Sequence, residues 1–224
     1  MKPLTEKHMA IYRRHMVEII DLHFDLASDE IGKSAMNERL RAAMLKVPRH
    51  LFVPHELVMM AYHDGPLPIG FDKTISQPFI AALMMDLLDI QPGDKVLEVG
   101  TGYGYQTAVL AELADHVCSI DVVEEFVELA RSRMEALDYR NYALRVGDGS
   151  RGWLEQSPFD KIIVAAAHDT IPERLLDQLN PGGRLVMPLG GSDVQQITLV
   201  VKGDDGTIHR NAIMPARFAA LETQ

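Results

Sequence analysis

Three glycines and an acid stand at a spacing that is typical of a nucleotide-binding site. Gly100, Gly102 and Gly104 directly follow the apolar segment Val96–Val99, and Asp121 ends the next apolar segment. Glycine permits a tight turn and leaves backbone N–H groups at the start of the following helix free to face a ligand. A carboxylate at the end of the second strand can accept hydrogen bonds from both hydroxyls of a ribose. This pattern predicts a ligand that contains a nucleoside.

The residues around the glycines favour S-adenosylmethionine over a dinucleotide. The dinucleotide fingerprint is G-x-G-x-x-G, whereas here the third glycine comes one residue earlier and no lysine is available for a phosphate. Glu98 would repel a pyrophosphate and suits a ligand with an ammonium group. S-adenosylmethionine combines adenosine, a sulfonium and an amino acid. Asp148, between Gly147 and Gly149, is a candidate acceptor for the adenine amino group, although this triplet also suits a plain turn.

The elements that must position these residues alternate between strand and helix. Apolar periodicity predicts helices over Pro78–Leu88, Gly104–Ala114, Val123–Leu137 and Pro172–Leu179, and strands over Lys95–Val99, Val117–Asp121, Tyr142–Val146, Lys161–Ala165, Arg184–Leu189, Gln195–Lys202 and Thr207–Met214. Such alternation predicts an α/β, Rossmann-like fold with a mostly parallel seven-stranded sheet, helices on both faces and an antiparallel edge.

The first fifty residues predict a helical extension, so residues 1–50 are separated from a ligand-binding domain over residues 51–224. One helix is expected around Met9–Phe24 and a second from an N-cap at Ser34 to Lys46, with a break at Ser28–Lys33. Val47–Gly70 is expected to be a loop-rich connection. His8, His15 and His23 share one helical face, where a solvated surface is favoured over a metal site because the spacing is not the i, i+4 pair of helical zinc sites.

Composition excludes several classes of protein. Lys and Arg number 22 against 32 Asp and Glu, for a net charge of −10, which disfavours a nucleic-acid partner. The single cysteine, Cys118, excludes an internal disulfide framework and a multi-cysteine zinc site, and no metal is predicted. No apolar run reaches the roughly 20 residues that a membrane span needs. We therefore expect a soluble cytoplasmic protein, and the sequence leaves its oligomeric state open.

Several segments together resemble the protein-L-isoaspartate O-methyltransferases, enzymes that repair isomerised aspartyl residues. The resemblance extends from about Met44 to Gly190. The segments that carry it are Val47-Pro-Arg-His-Leu-Phe-Val-Pro54, Ala61-Tyr-His-Asp64, Pro66-Leu-Pro-Ile-Gly70, Thr74-Ile-Ser-Gln-Pro78, Gly147-Asp-Gly149 with Trp153, Pro158-Phe-Asp160, Ala165-Ala-Ala167 and Pro181-Gly-Gly-Arg-Leu-Val-Met-Pro188. It implies a class I methyltransferase fold and methyl transfer from S-adenosylmethionine to the free carboxylate of isoaspartyl proteins or peptides.

The resemblance also implies the roles of individual residues. Ser76 is the expected catalytic residue beside the substrate carboxylate, although with Pro78 two residues on it also suits a helix N-cap. The cofactor is expected to be held by Lys73, Thr74, Ile75, Ser76, Glu98, Gly100, Thr101, Gly102, Gly104, Asp121, Val122, Asp148 and Gly149.

Departures from the family pattern mark the substrate side of the site. His168 follows the alanines where members often carry proline, the stretch Leu22–Lys33 is additional, and the tail Pro215–Leu221 matches only loosely. His168 and Arg217 are therefore candidate substrate-binding residues. Three alternatives stay open: a related carboxyl methyltransferase for a dedicated peptide or a small molecule, a cofactor-binding module without catalysis, and a dinucleotide oxidoreductase.

Overall fold

Apolar strands that alternate with helices pair as a parallel sheet, because each helix carries the chain back to the end of the sheet where the previous strand began and covers one face of the sheet. The computed structural model describes residues 5–191 and 194–223. The strands of its central sheet are β3 (Lys95–Val99), β4 (His116–Asp121), β5 (Tyr142–Val146), β6 (Phe159–Val164), β7 (Leu179–Leu189), β8 (Gln195–Lys202) and β9 (Ile208–Ala216). They lie in the order β5-β4-β3-β6-β7-β8-β9, of which β3 to β7 are parallel and β8 and β9 add the antiparallel edge. The predicted fold class is confirmed.

Helices cover both faces of this sheet. They are α1 (Glu6–Leu26), α2 (Ser28–Ile31), α3 (Glu38–Lys46), α4 (Pro78–Leu88), α5 (Tyr105–Leu113), α6 (Glu124–Ala136) and α7 (Glu173–Asp177). In β3, Val96 joins the core beneath α4 and α5, whereas Leu97 and Val99 join the core beneath α7. The strand alternation thus supplies both cores at once.

The N-terminal helices belong to the larger core. Met16, Val17, Ile20 and Phe24 of α1 are completely buried in one hydrophobic cluster with α3, α4 and α5. None of the described helices is long and apolar enough to cross a membrane.

Several local predictions were wrong for identifiable reasons. The second helix begins after Asn37, whose side chain accepts a hydrogen bond from the Arg39 N–H, and not after Ser34. The expected break contains the short helix α2, which Gly32 ends in a left-handed conformation. His15 is solvated as expected, but His23 packs edge-on against the Phe79 ring.

Two further differences concern regions where the chain is irregular. The loop-rich connection contains the 3-10 helices Arg49–Phe52 and His55–Met60 and a strand, β1 (Leu67–Gly70), that pairs with β2 (Lys73–Ile75). The last predicted helix is only the five residues of α7, because β7 already begins at Leu179.

A buried carboxylate fastens the extension to the core. Asp86 of α4 accepts hydrogen bonds from Lys33 Nζ and from the Asn37 N–H, each at 2.7 Å, and its side chain is 2% exposed. Asp86 therefore holds both ends of the connection between α2 and α3 against α4.

We predict that Asp86→Ala lowers the free energy of unfolding by about 2 kcal/mol, because it leaves the Lys33 ammonium group and the Asn37 N–H without their acceptor. Urea unfolding followed by circular dichroism measures this loss. Glu128→Ala removes a carboxylate from an exposed ion pair with Arg131 on α6 and is the control, with an expected change within about 0.5 kcal/mol. Equal effects of the two substitutions would contradict the structural role of Asp86.

Candidate active site

A cavity of about 370 Å³ opens at the carboxyl ends of β3, β4 and β6. The sheet order reverses at β3, between β4 and β6, and ligands of open α/β sheets bind at such a switch point. The cavity is within the size range of small-molecule sites. Its wall comes from β2 and the turn that follows, from the loops after β3, β4 and β6, and from residues 215–222 of the C-terminal segment.

The glycine loop after β3 forms one side of the cavity. Gly100 has a φ of 98° and its N–H donates to the Ile120 carbonyl at 2.8 Å. A Cβ at Gly100 would lie 3.3 Å from the Cβ of Ala165, in the loop after β6. Only glycine combines this left-handed backbone with so close an approach between two loops.

Asp121 holds the loops after β3 and β4 together. Its Oδ2 accepts a hydrogen bond from the Gly102 N–H at 2.8 Å, and its Oδ1 accepts one from the Val123 N–H at 3.0 Å. Burial raises the pKa of this carboxyl, and the two backbone donors oppose that shift. Asp121 also lines the cavity, so it is placed where a ligand hydroxyl can reach it.

Glu98 lies behind the glycine loop and not in the cavity wall. Its carboxylate is completely buried and accepts hydrogen bonds from Thr107 at 2.5 Å, Ser119 at 2.6 Å and Gln106 at 3.1 Å. Because Glu98 and Val96 point to the same face of β3, the carboxylate meets α5. This position connects β3, β4 and α5 directly beneath the loop.

Ser76 lies in the cavity wall between β2 and α4. The alternative prediction, that Ser76 is the N-cap of α4, is wrong. The N-cap residue is Gln77, whose side chain makes no capping hydrogen bond. Instead, Asp64 accepts a hydrogen bond from the Phe79 N–H at 3.1 Å and one from Gln77 Nε2 at 2.8 Å. The Ser76 carbonyl accepts a hydrogen bond from Arg49 Nη2 at 2.8 Å.

The structure brings most of the sequence-predicted site residues to this one cavity. Those in its wall are Lys73, Thr74, Ile75, Ser76, Gly100, Thr101, Gly102, Asp121, Val122, Gly149 and Arg217. Four others, Glu98, Gly104, Asp148 and His168, are not among the lining residues. Asp148 accepts hydrogen bonds from the Ser150 N–H and hydroxyl, and His168 Nδ1 lies 2.7 Å from the Thr170 carbonyl oxygen.

The C-terminal segment completes the wall opposite the glycine loop. Backbone hydrogen bonds join Ala167 to residues 219 and 221. The side-chain amide of Gln195 donates to the Phe218 carbonyl and accepts a hydrogen bond from the Phe218 N–H. Lys73 Nζ forms an ion pair with Glu222 at 2.5 Å. Sequence reasoning identified Arg217 in this segment but missed Phe218 and Glu222, for which no local pattern gives a signal.

We predict that the stability of the chain falls as pH rises, through Glu98. Burial raises the pKa of this carboxyl from 4.5 to about 7, so the folded chain keeps a proton that the unfolded chain has released. Between about pH 4.5 and 8, the free energy of unfolding should therefore decrease by about 2–3 kcal/mol relative to Glu98→Gln, which has no titrating group. Chemical denaturation at a series of pH values measures the difference.

The matched control is Glu128→Gln on the exposed surface of α6. Its free energy of unfolding should change with pH in the same way as that of the unmodified chain. A constant difference between the unmodified chain and Glu98→Gln over this pH range would show that Glu98 is ionised throughout.

Sequence comparison identifies relatives over nearly the whole chain. The profile of the family described as protein-L-isoaspartate(D-aspartate) O-methyltransferase matches residues 25–224. Protein-L-isoaspartate O-methyltransferase 1 of Polaromonas sp. (strain JS666 / ATCC BAA-500) is 48% identical over 219 residues, which cover 98% of this chain and 93% of that protein. The protein-L-isoaspartate O-methyltransferase of Dictyoglomus turgidum is 47% identical, with 94% and 90% covered.

Solved structures agree with these relatives. A protein-L-isoaspartate O-methyltransferase superposes with a TM-score of 0.78 at 29% identity, and the match covers 93% of this chain and 65% of the other. A Plasmodium falciparum protein described as a putative enzyme of this kind, in complex with S-adenosyl-L-homocysteine, has the same fold, with a TM-score of 0.79 at 21% identity, 95% of this chain and 99% of the other being covered. The chain belongs to the protein-L-isoaspartate(D-aspartate) O-methyltransferase family.

Proposed function

We propose that this chain transfers a methyl group from S-adenosylmethionine to the free carboxylate of L-isoaspartyl residues in proteins or peptides. The observation that carries the proposal is that one cavity joins the glycine loop and Asp121 to Ser76, in a chain of this family. The dinucleotide oxidoreductase and the module without catalysis have no comparable support.

The wall of the cavity fits S-adenosylmethionine. Asp121 offers a buried carboxylate to the ribose hydroxyls, and the glycine loop lets a ligand lie against the main chain. An apolar surface suitable for a flat adenine ring lies beside them, formed by Val99, Ile120, Val122 and Phe126. Among the predicted cofactor residues, Lys73, Thr74 and Ile75 form the opposite side. Glu98 and Gly104 would act by supporting the loop from behind.

The chemistry needs orientation more than proton transfer. When bound, S-adenosylmethionine supplies a methyl group to a carboxylate oxygen, and the carbon–sulfur bonding pair stays on sulfur, so that its positive charge disappears. The substrate carboxylate is already ionised at pH 7, so no general base is required. Precise alignment of two reactants is worth up to about 7–11 kcal/mol in favourable cases. The task of this chain is therefore to hold a carboxylate in line with a methyl group.

We assign that task to Ser76. Its backbone is fixed by the Arg49 hydrogen bond and by α4, which begins two residues later. The Ser76 hydroxyl would donate a hydrogen bond to one carboxylate oxygen and leave the other free to attack. Arg217, in the same wall, is a candidate for contact with the substrate peptide, whereas His168 would need a substrate that extends beyond the cavity.

Repair would follow without further help from the protein. The backbone nitrogen of the next residue attacks the new ester and expels methanol, which closes a succinimide ring. Hydrolysis of that ring by water returns part of the material to normal aspartate. The partners that this proposal implies are damaged proteins and peptides.

We expect methyl transfer to an isoaspartyl peptide and none to the same peptide with ordinary aspartate. Radiolabelled S-adenosylmethionine and release of the label as methanol at alkaline pH measure the ester. Transfer to neither peptide, with binding of S-adenosylhomocysteine intact, would overturn the isoaspartyl substrate and favour another carboxylate, from a dedicated peptide or a small molecule.

We also expect Ser76→Ala to reduce kcat by about 10- to 100-fold, the value of a hydrogen bond to a charged group, while the affinity for S-adenosylhomocysteine changes little. Steady-state kinetics and calorimetry separate the two effects. Ser34→Ala, an exposed serine at the predicted but incorrect helix start, is the control. Unchanged turnover, or an equal loss of turnover and cofactor affinity, would refute the role of Ser76.

A further inference from the structure

Arg49 is a completely buried arginine beside the candidate catalytic serine. It begins the 3-10 helix Arg49–Phe52 and has 0% exposure. Its Nε donates to the Ala61 carbonyl and its Nη2 to the Ser76 carbonyl, each at 2.8 Å. Two of its three nitrogens thus tie the chain before β1 to the turn that carries Ser76.

The third nitrogen of Arg49 has no partner. Within residues 5–191 and 194–223, Nη1 is buried without a hydrogen bond, and the guanidinium forms no ion pair with a carboxylate. Asp64 is close enough to act on Arg49 through its charge, but its own oxygens are engaged by Gln77 and the Phe79 N–H. Burial lowers the pKa of Arg49 to about 10, so the side chain is still charged at neutral pH.

Tyr105 adds a second unsatisfied group at the same place. The Arg49 guanidinium carbon lies 4.8 Å from the centre of the Tyr105 ring. In the described part of the chain, the Tyr105 hydroxyl is also buried without a hydrogen-bond partner. Arg49, Tyr105 and Ser76 all line the same cavity.

A buried charge without a counter-ion is unfavourable, and so is a buried hydroxyl without a partner. A carboxylate is the group that relieves both, because it accepts strong hydrogen bonds from a guanidinium and from a phenol. The reaction brings two carboxylates to this cavity: that of the isoaspartyl residue and that of the amino acid part of S-adenosylmethionine.

We propose that Arg49 and Tyr105 form a carboxylate-recognition site in the cavity wall next to Ser76. This inference rests on the proposed function and deepens it. The contact with the Ser76 carbonyl favours the substrate carboxylate as the occupant. Arg49 would then be both a binding residue, through Nη1 and its charge, and a positioning residue for Ser76.

The test compares ligands that differ only in the carboxylate. One pair is an isoaspartyl peptide and the same peptide with that carboxylate converted to a carboxamide. The other pair is S-adenosylhomocysteine and its analogue without the amino acid carboxylate. Calorimetry on the full chain gives the affinity of each ligand for the unmodified protein and for Arg49→Met, Arg49→Lys and Tyr105→Phe.

We expect Arg49→Met to weaken one carboxylate ligand by about 10- to 100-fold, with its neutral counterpart changed less than about threefold. Arg49→Lys should keep part of the discrimination because it keeps the charge. Tyr105→Phe should lose a smaller part of this discrimination, and it leaves the two hydrogen bonds from Arg49 to the Ala61 and Ser76 carbonyls in place. Selective loss for the peptide identifies the substrate carboxylate as the occupant, and selective loss for S-adenosylhomocysteine identifies that of the cofactor.

A purely structural role for Arg49 predicts a different result. Charged and neutral ligands would then weaken equally, or neither would weaken, and either outcome overturns the proposal. Arg39 provides the matched control, because it also donates to two carbonyls, those of Ile90 and Leu113, and lies outside the cavity wall. Arg39→Met should lower thermal stability and leave all four affinities unchanged.

The test also gives a decision when a variant does not fold or when the peptide does not bind. If Arg49→Met does not fold, Tyr105→Phe and Arg49→Lys decide, since unchanged discrimination in both would overturn the proposal. If the unmodified protein binds S-adenosylhomocysteine but no isoaspartyl peptide, the proposed substrate is wrong. The S-adenosylhomocysteine pair then decides by itself whether the site recognises a carboxylate.

Discussion

The cavity depends on Asp121, which uses both carboxylate oxygens to hold the loops after two neighbouring parallel strands. One oxygen accepts from Gly102 after β3, and the other accepts from Val123 at the start of α6. Parallel pairing of β3 with β4 places these loops side by side and extends to the Gly100 N–H, which donates to the Ile120 carbonyl, and Asp121 holds the backbone beyond that point. Glu98 acts one layer deeper, where it connects β3, β4 and α5. The glycine loop is thus held by two buried acidic side chains, Asp121 at the loop itself and Glu98 beneath it.

The opposite wall of the cavity is held from both ends of the chain. On one side, His23 of α1 lies 3.0 Å from an Asp64 oxygen, and Asp64 holds the start of α4 next to Ser76. On the other side, Glu222 pairs with Lys73 in β2. The short segment from Lys73 to Gln77 is therefore connected to the C-terminal segment directly, through Lys73, and to α1 indirectly, through Asp64. This explains why the regions that depart most from the family pattern still contribute to the geometry of the site.

Features that depend on residues close together in sequence were predicted correctly. Glycines followed by an acid at the end of the next strand identified the loop and Asp121, and alternating periodicity identified all seven strands of the main sheet. The start of α3 was misplaced because Asn37 is fixed by Asp86, which is remote in sequence. Arg49 had no predicted role, and it appeared only within the segment Val47–Pro54 that resembles the family. Its importance comes from burial and from unpaired atoms, which depend on chain segments distant in sequence and have no signature in spacing.

The charge of the cavity contrasts with that of the molecule. The chain has a net charge of −10, yet Arg49, Lys73 and Arg217 all lie in the cavity wall. Lys73 is paired with Glu222, whereas the Arg49 guanidinium forms no ion pair among the described residues and lies in the wall next to Ser76, where a bound anion can meet its charge. Methyl transfer converts a carboxylate into a neutral ester and a sulfonium into a neutral thioether. A fixed positive charge therefore attracts the substrate and no longer attracts the ester. In such a site, the same electrostatic interaction that favours binding of the carboxylate also favours departure of the product.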